Sequence, residues 1–245
     1  MSTAVAAIRS IVTYIAVSLY VAIVAPLGIV LAIALGSKNL LYILGHWGVS
    51  MGLSLAGIKS QVIGRENIPA DRAVVFCCNH QSNVDPPLLF EALHPRLHIL
   101  YKRELSKLPL LGRAFQLGGF VAIDRTNREQ SMGAIDQAAE SLRRGNSFLT
   151  FPEGTRSPTG SLLPFKRGPF LMALKAQVPV VPVAIQGGTA SMRKGSLIVR
   201  PTTVTVRIGE PVETRGMDVS DRETLAETVR ARVEEMLAIA RRTKT

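Results

Sequence analysis

Cysteine, aromatic residues and charged residues are all scarce in this sequence of 245 residues. Its two cysteines, Cys77 and Cys78, are adjacent within an apolar run, and neighbouring residues rarely reach disulfide geometry without strain. They are therefore expected to be buried and reduced, forming neither a disulfide nor a zinc site. With 47% hydrophobic and 19% charged residues, the composition also excludes a disordered chain.

Motifs for nucleotide and metal binding are missing as well. The sequence has no P-loop, no glycine fingerprint for a dinucleotide and no Cys/His spacing suited to zinc. His94 and His98 have helical spacing, but Pro95 between them disfavours a shared metal ion. The segment 52–56 lacks the last glycine of a nucleophile elbow. We therefore expect no metal site.

Charge is distributed unevenly along the chain. Lysine and arginine total 29 against 18 acidic residues, so the net charge of +11 indicates an anionic partner: nucleic acid, acidic lipid or a phosphorylated substrate. Residues 1–58 contain only Arg9 and Lys38 as charged residues. This composition break predicts a membrane-anchoring helical segment over 1–58 and a second domain over 59–245.

The apolar segment begins with an uncharged stretch, Ser10–Ser37, that exceeds the roughly 20 residues needed to cross a bilayer. Pro26 and Gly28 within it predict a kink or a helix in two pieces. A second uncharged stretch, Asn39–Ile58, could lie in the interface with Trp47 as its anchor. A cleaved signal peptide and a buried hairpin are the alternatives. Membrane attachment is favoured, while spanning or lying in one leaflet stays open.

The rest of the chain alternates short apolar runs with helical patterns. Such alternation predicts an α/β fold with a mixed, partly parallel sheet flanked by helices. The predicted strands are 73–78, 97–101, 120–123, 147–151, 180–185 and one or two within 197–208. The predicted helices are 86–93, an interrupted one over 104–117, one from a capping box at 126–129 to 144, 168–177, and a last one capped at 220–223.

The first candidate catalytic group follows the strand 73–78. His80 emerges at the edge of the sheet, and Asp85 five residues later could accept a hydrogen bond from its ring. That bond would leave the other ring nitrogen free as a base near neutral pH. Asp85 directly precedes Pro86, so it could equally be a helix N-cap. The two roles do not exclude each other.

Two further strand ends carry arginines. Arg125 follows the strand 120–123, where it could bind phosphate or simply pair with Asp124. Arg156 lies in a Pro/Gly/Ser-rich loop and offers a planar fork for phosphate oxygens, or an ion pair with Glu153. A histidine base without an obvious serine or cysteine nucleophile suggests direct deprotonation of a substrate hydroxyl. The arginines suggest that this substrate is phosphorylated.

Four blocks of the chain together carry a family resemblance. They are His80–Asp85, Gly119–Arg125, Phe151–Ser157 with its continuation through Gly168, and Val178–Ile185. In this order they resemble the glycerolipid acyltransferases, most closely the bacterial 1-acyl-sn-glycerol-3-phosphate acyltransferases. The resemblance covers about residues 73–188. The apolar segment and the residues beyond about 190 carry little motif information.

The resemblance implies transfer of a fatty acyl group from acyl-CoA or acyl carrier protein to the sn-2 hydroxyl of lysophosphatidic acid, without an acyl-enzyme. His80 would remove the hydroxyl proton, and Asp85 would orient and support the imidazolium. Backbone N–H groups around Gly154 are candidates to stabilise the oxyanion. The implied substrate-binding residues are Lys102, Arg125, Glu153, Gly154, Thr155 and Arg156.

The resemblance implies no cofactor, since the thioester is a co-substrate. The partners would be membrane lipids and the thioester donor, with no nucleic acid. The catalytic domain would lie at the cytoplasmic face of a membrane, here the bacterial inner membrane. Alternative functions are acylation of glycerol-3-phosphate, a lyso-aminolipid or another lysophospholipid, and a non-catalytic lipid-binding protein. A basic nucleic-acid-binding module is disfavoured because aromatic interleaving and a binding motif are missing.

Overall fold

A seven-stranded sheet forms the centre of the fold, with strand order β1-β7-β6-β2-β5-β3-β4. The computed structural model describes residues 2–93, 97–124 and 127–242. The strands are β1 Ile58–Ile63, β2 Val75–Cys78, β3 His98–Lys102, β4 Val121–Ile123, β5 Phe148–Thr150, β6 Val180–Gln186 and β7 Thr202–Ile208.

Eight α-helices occur in the described part of the chain: α1 Thr3–Ala34, α2 Asn39–Ala56, α3 Asp85–Leu93, α4 Pro109–Gly118, α5 Arg128–Arg143, α6 Gly168–Ala176, α7 Gly188–Ser191 and α8 Arg222–Arg242. Short 3-10 helices cover Arg65–Asn67, Arg103–Lys107 and Val219–Asp221.

The sheet is mixed but mostly parallel, which confirms the predicted fold class. Strands β6, β2, β5, β3 and β4 run parallel to one another, β1 runs parallel to β7, and β6 and β7 are antiparallel. The carboxyl ends of β6, β2, β5, β3 and β4 therefore meet at one edge. Ligands of open α/β sheets bind at this edge.

Both faces of the sheet are covered, as expected for parallel strands. Along β2, Val75 and Cys77 join the core beneath α5, α6 and α8, whereas Phe76 and Cys78 join the core beneath α2 and α3. Both cysteines are free and fully buried, which confirms the predicted burial. Burial raises the pKa of the Cys77 thiol to about 12.

The N-terminal segment forms two helices that pack against each other and against the α/β domain. In the described part of the chain, α1 is the one helix that is long and apolar enough to cross a membrane. It continues unbroken through Pro26, so the alternative of a helix in two pieces is wrong. Apolar side chains are exposed along its outer side, as at Ile11, Ile23 and Val30.

Several local differences from the predicted elements have simple causes. The edge strand β1 was not predicted because Lys59, Ser60 and Gln61 are polar and exposed. The segment 104–117 is a 3-10 turn followed by α4, which begins at Pro109 because proline fits the first helical turn. The only strand within 197–208 is β7.

Two predicted helix caps also differ. The cap of α5 is Asn127, which accepts from the Gln130 N–H, while the predicted Thr126 lies outside the described residues. The capping box before α8 is formed by Asp218 and Asp221 rather than by 220 and 223.

Candidate active site

The residue that follows β2 ties two parallel strands together. Asn79 accepts a hydrogen bond from the Ile185 N–H at 2.7 Å and donates its amide to the Ile185 carbonyl at 3.0 Å. This pairing fastens the carboxyl end of β2 to β6 and fixes the point at which His80 leaves the sheet. The only sequence signal for this role of Asn79 is that a polar residue directly follows a buried strand.

His80 and Asp85 form the pair that their spacing suggested. The ring Nδ1 lies 2.9 Å from Asp85 Oδ2, and the aspartate side chain is almost fully buried. The same Oδ2 accepts from the N–H groups of Gln81 and Ser82 at 2.6 and 2.7 Å. Asp85 therefore binds the loop that precedes α3 rather than its first turn, so the N-cap interpretation is wrong. With Nδ1 donating to the carboxylate, Nε2 is the free basic nitrogen.

Glu153 connects the Arg156 loop to this pair through backbone hydrogen bonds. Its Oε1 accepts from the His80 N–H at 2.7 Å, and its Oε2 accepts from the Leu163 N–H at 3.0 Å. Burial raises the pKa of Glu153, and the two backbone hydrogen bonds oppose that rise. Among the described residues no cation pairs with Glu153, so its predicted ion pair with Arg156 is wrong.

Two further contacts hold His80 against the same loop. Its ring stacks on Phe151 with 4.1 Å between ring centroids, and its carbonyl accepts from the Ser157 N–H at 2.8 Å. The histidine is thereby fixed at its ring, its N–H and its carbonyl. The exposed fraction of its side chain is 14%, so one ring edge stays accessible.

Gly154 occupies a turn that another side chain would distort. Its φ is +71°, and an added Cβ would lie 2.8 Å from Cε of Lys166, which crosses the turn. Its N–H donates to the Phe151 carbonyl at 2.9 Å. This N–H is therefore engaged in the turn, while the other N–H groups around Gly154 stay candidates to stabilise an oxyanion.

The remaining predicted residues lie farther along the edge or outside the described ranges. Thr155 is exposed and Arg156 half-buried at the tip of the Gly154 turn. Lys102 ends β3, two strands from β2, and pairs with Glu104 at 3.1 Å on the surface. Arg125 lies outside the described residues, and so does its alternative pairing with Asp124.

An apolar cavity of about 650 Å³ lies between the N-terminal helices and the α/β domain. Val17 and Tyr20 of α1 and Gly45 of α2 line one side, and Val84 and Pro86 line another. The last two flank Asp85, so the cavity reaches the loop that carries the His80–Asp85 pair. Its volume lies in the range of about 300–1,000 Å³ that small-molecule pockets occupy.

The fold and the site together define an α/β protein with a His–Asp pair at the carboxyl edge of its sheet and an apolar helical pair beside it. Within the described ranges, no three His, Cys, Asp or Glu side chains lie together as metal ligands. The sequence model of the Acyltransferase family matches residues 59–186, and the chain belongs to this family.

Relatives with known names share much of the chain. A 1-acyl-sn-glycerol-3-phosphate acyltransferase of Cocos nucifera is 38% identical over 69% of this chain and 55% of its own length. The alpha enzyme of that name from Mus musculus is 35% identical over 78% of this chain and 67% of its own length. The chain thus spans about half to two thirds of these curated relatives.

A solved structure covers more of the chain. The 1-acyl-sn-glycerophosphate (LPA) acyltransferase PlsC of Thermotoga maritima has a TM-score of 0.79 and 27% sequence identity, covering 96% of this chain and 98% of that one. The likeness therefore includes the N-terminal helices as well as the α/β domain.

Proposed function

We propose that the protein is a 1-acyl-sn-glycerol-3-phosphate acyltransferase, which transfers a fatty acyl group from a thioester to lysophosphatidic acid. The observation that carries the proposal is the His80–Asp85 pair at 2.9 Å, fastened by Glu153 to the loop of Arg156. The names of the relatives and their coverage of the site region support the choice of acceptor.

The proposed chemistry is a direct transfer. Nε2 of His80 removes the proton from the sn-2 hydroxyl as its oxygen attacks the thioester carbonyl, and Asp85 stabilises the imidazolium. The tetrahedral intermediate then collapses, the C–S bond breaks, and the departing thiolate takes the proton from His80. The products are phosphatidic acid and the free thiol of CoA or acyl carrier protein.

The surroundings of the histidine support the absence of an acyl-enzyme. Cys77 and Cys78, the nearest thiols along the chain, are fully buried, and burial raises the pKa of both. A thiol kept protonated away from solvent is a poor nucleophile. Ser82 is also fully buried, and its N–H group is bound to Asp85.

We assign the acceptor phosphate to the Arg156 loop. Arg156 offers two parallel donors to phosphate oxygens, and the Lys166 side chain crosses Gly154 in the same turn. The Thr155 hydroxyl is a further donor at this tip. Lys102 and Arg125 stay predicted members of the phosphate site.

The apolar parts of the structure suit a lipid substrate. The cavity beside Val84 and Pro86 can hold acyl chain, and the exposed apolar side of α1 can enter a membrane. Burying such a surface in hydrocarbon releases about 25 cal/mol per Å². Because acyl-CoA and acyl carrier protein are cytoplasmic, we place the catalytic domain at the cytoplasmic face, in a bacterium at the inner membrane.

The test uses the full-length protein in lipid–detergent micelles with one acyl-CoA and a panel of acceptors. Lysophosphatidic acid should be acylated in preference to glycerol-3-phosphate and lysophosphatidylcholine, and replacing acyl-CoA by acyl carrier protein would identify the donor. Preferred acylation of another acceptor would refute the assignment. No acylation of any acceptor would favour a lipid-binding protein.

Two variants test the assigned roles. His80→Ala should abolish turnover while the thermal unfolding temperature and membrane binding stay close to wild type, and near-normal turnover would overturn the mechanism. Arg156→Ala should raise the KM for lysophosphatidic acid. If it raised the KM for the thioester instead, the phosphate would bind elsewhere.

A further inference from the structure

A loop outside the four family-like blocks reaches the proposed phosphate site. Residues 192–200, here called the 192–200 loop, lie between α7 and β7. Nζ of Lys194 in this loop donates to the Arg156 carbonyl at 3.0 Å and lies 3.4 Å from the Thr155 hydroxyl. A lysine thus holds the backbone of the residue that we assign to the phosphate.

The 192–200 loop is itself fixed at its base. The Arg200 N–H donates to the Ser191 carbonyl at 2.7 Å and closes the loop. Just before it, the Gly188 N–H donates to Oε1 of Gln81, which belongs to the His80–Asp85 loop. Lys194 therefore belongs to a segment whose base is hydrogen-bonded to the His80–Asp85 loop.

Helix α1 holds the other side of the same loop. The Val199 N–H donates to the Ser10 hydroxyl at 2.8 Å, and the Tyr14 hydroxyl donates to the Leu197 carbonyl at 2.8 Å. Lys194 lies only a few residues before Leu197 and Val199 in the sequence. The backbone that carries the ammonium group is thus restrained by both the apolar helix and the catalytic loop.

The electrostatics of the tip favour an anion. Arg156, Lys166 and Lys194 all approach the Gly154–Arg156 turn, and among the described residues none of them pairs with a carboxylate. Neighbouring cations repel one another, and a phosphate bound between them removes that repulsion. The contacts of Lys194 with the Arg156 carbonyl and the Thr155 hydroxyl also limit how far the Arg156 peptide can rotate.

We propose that Lys194 is a positioning residue of the acceptor site, which orients Arg156 toward the phosphate of the lysophospholipid. The inference rests on the proposed function, because it requires that Arg156 bind the acceptor phosphate. Lys194 acts through the Arg156 backbone. Removing the Lys194 side chain therefore changes acceptor binding and leaves the His80 chemistry and the thioester site unaffected.

The experiment compares Lys194→Ala with Arg193→Ala, a matched control. Arg193 is the exposed neighbour with the same charge, and among the described residues its side chain makes no hydrogen bond or ion pair. Lys194→Ala should raise the KM for lysophosphatidic acid about fivefold, the factor expected for one lost hydrogen bond. Its kcat and its KM for acyl-CoA should stay near wild type. Arg193→Ala should leave all three constants near wild type, and Lys194→Arg should restore the acceptor KM.

Equal KM increases in the two alanine variants would overturn the proposal, because net charge rather than the contact would then be responsible. Lys194→Gln, which keeps part of the aliphatic stem and removes the charge, serves the same comparison if the alanine variant unfolds. Adding Lys194→Ala to Arg156→Ala should change the acceptor KM little further. Multiplied effects would mean that Lys194 acts independently of Arg156 and would also refute a positioning role.

Failure of this inference is distinguishable from failure of the proposed function. If Arg156→Ala raises the acceptor KM and Lys194→Ala does not, only the role of Lys194 is wrong. If Arg156→Ala itself leaves the acceptor KM unchanged, the phosphate site proposed at Arg156 is wrong.

Discussion

Glu153→Gln is expected to lower kcat far more than it changes the KM for the lysophospholipid. The carboxylate accepts from the His80 N–H at 2.7 Å and from the Leu163 N–H at 3.0 Å, and it is buried. Glutamine keeps the shape but has one acceptor oxygen. Whichever way its amide turns, an NH₂ group faces one of the two N–H donors.

The magnitude follows from these two bonds. A hydrogen bond to a charged group contributes about 1.5–3 kcal/mol, and the substitution loses one of them. Removing the charge offsets part of this loss, because burying an ionised carboxylate costs free energy. The raised pKa of Glu153 reflects that cost. The free energy of unfolding should therefore fall by about 1–2 kcal/mol. A displacement of His80 by part of an ångström should lower kcat about tenfold, because a 1 Å misplacement can cost about 100-fold.

The assay measures initial rates with lysophosphatidic acid and acyl-CoA varied in turn, together with urea unfolding. Glu235→Gln is the matched control, because Glu235 is an exposed glutamate of α8 and its substitution changes the charge equally. An unchanged kcat with a raised acceptor KM would refute the reasoning. Glu153 would then contact the acceptor, as the family resemblance implies.

Three other perturbations have defined outcomes. Burial lowers the pKa of His98 to about 4 from 6.5, so the unfolded chain takes up its proton first as the pH falls. The free energy of unfolding should therefore decrease by about 3 kcal/mol between pH 6.5 and 4, and the decrease should be smaller in His98→Gln; equal slopes in urea unfolding would contradict this. Gly188→Ala puts a Cβ 2.6 Å from Oδ1 of Asp85, which we propose as the partner of the His80 base, and should lower kcat at least about tenfold. Gly133→Ala, where a Cβ meets nothing within 4 Å, should not lower it, and equal activities would disprove the steric argument. Ser10→Ala removes the acceptor of the buried Val199 N–H and should speed hydrogen exchange of that amide; unchanged protection would show that the helix is held by other contacts.

Much of the site could be predicted because its residues directly follow buried strands. The apolar run before His80 and the run before Glu153 became neighbouring parallel strands, and this adjacency brought the two blocks together. The positions of β1 and Lys194 could not be predicted in this way. The strand β1 is polar and exposed, and Lys194 is defined by contacts with residues almost 40 positions away.

The composition break near residue 58, the apolar α1 and the strand-end locations of His80 and Glu153 are all evident from the order of residues. These features depend on local periodicity and on where apolar runs end, which the order of residues specifies directly. Which partner each polar group binds depends instead on the packing of the whole domain. That packing directed Asp85 to the histidine loop rather than to a helix cap, and Glu153 to two backbone N–H groups rather than to an arginine. A buried carboxylate takes the donors that the packed strands and loops bring within reach, and those donors become neighbours only when the sheet has formed.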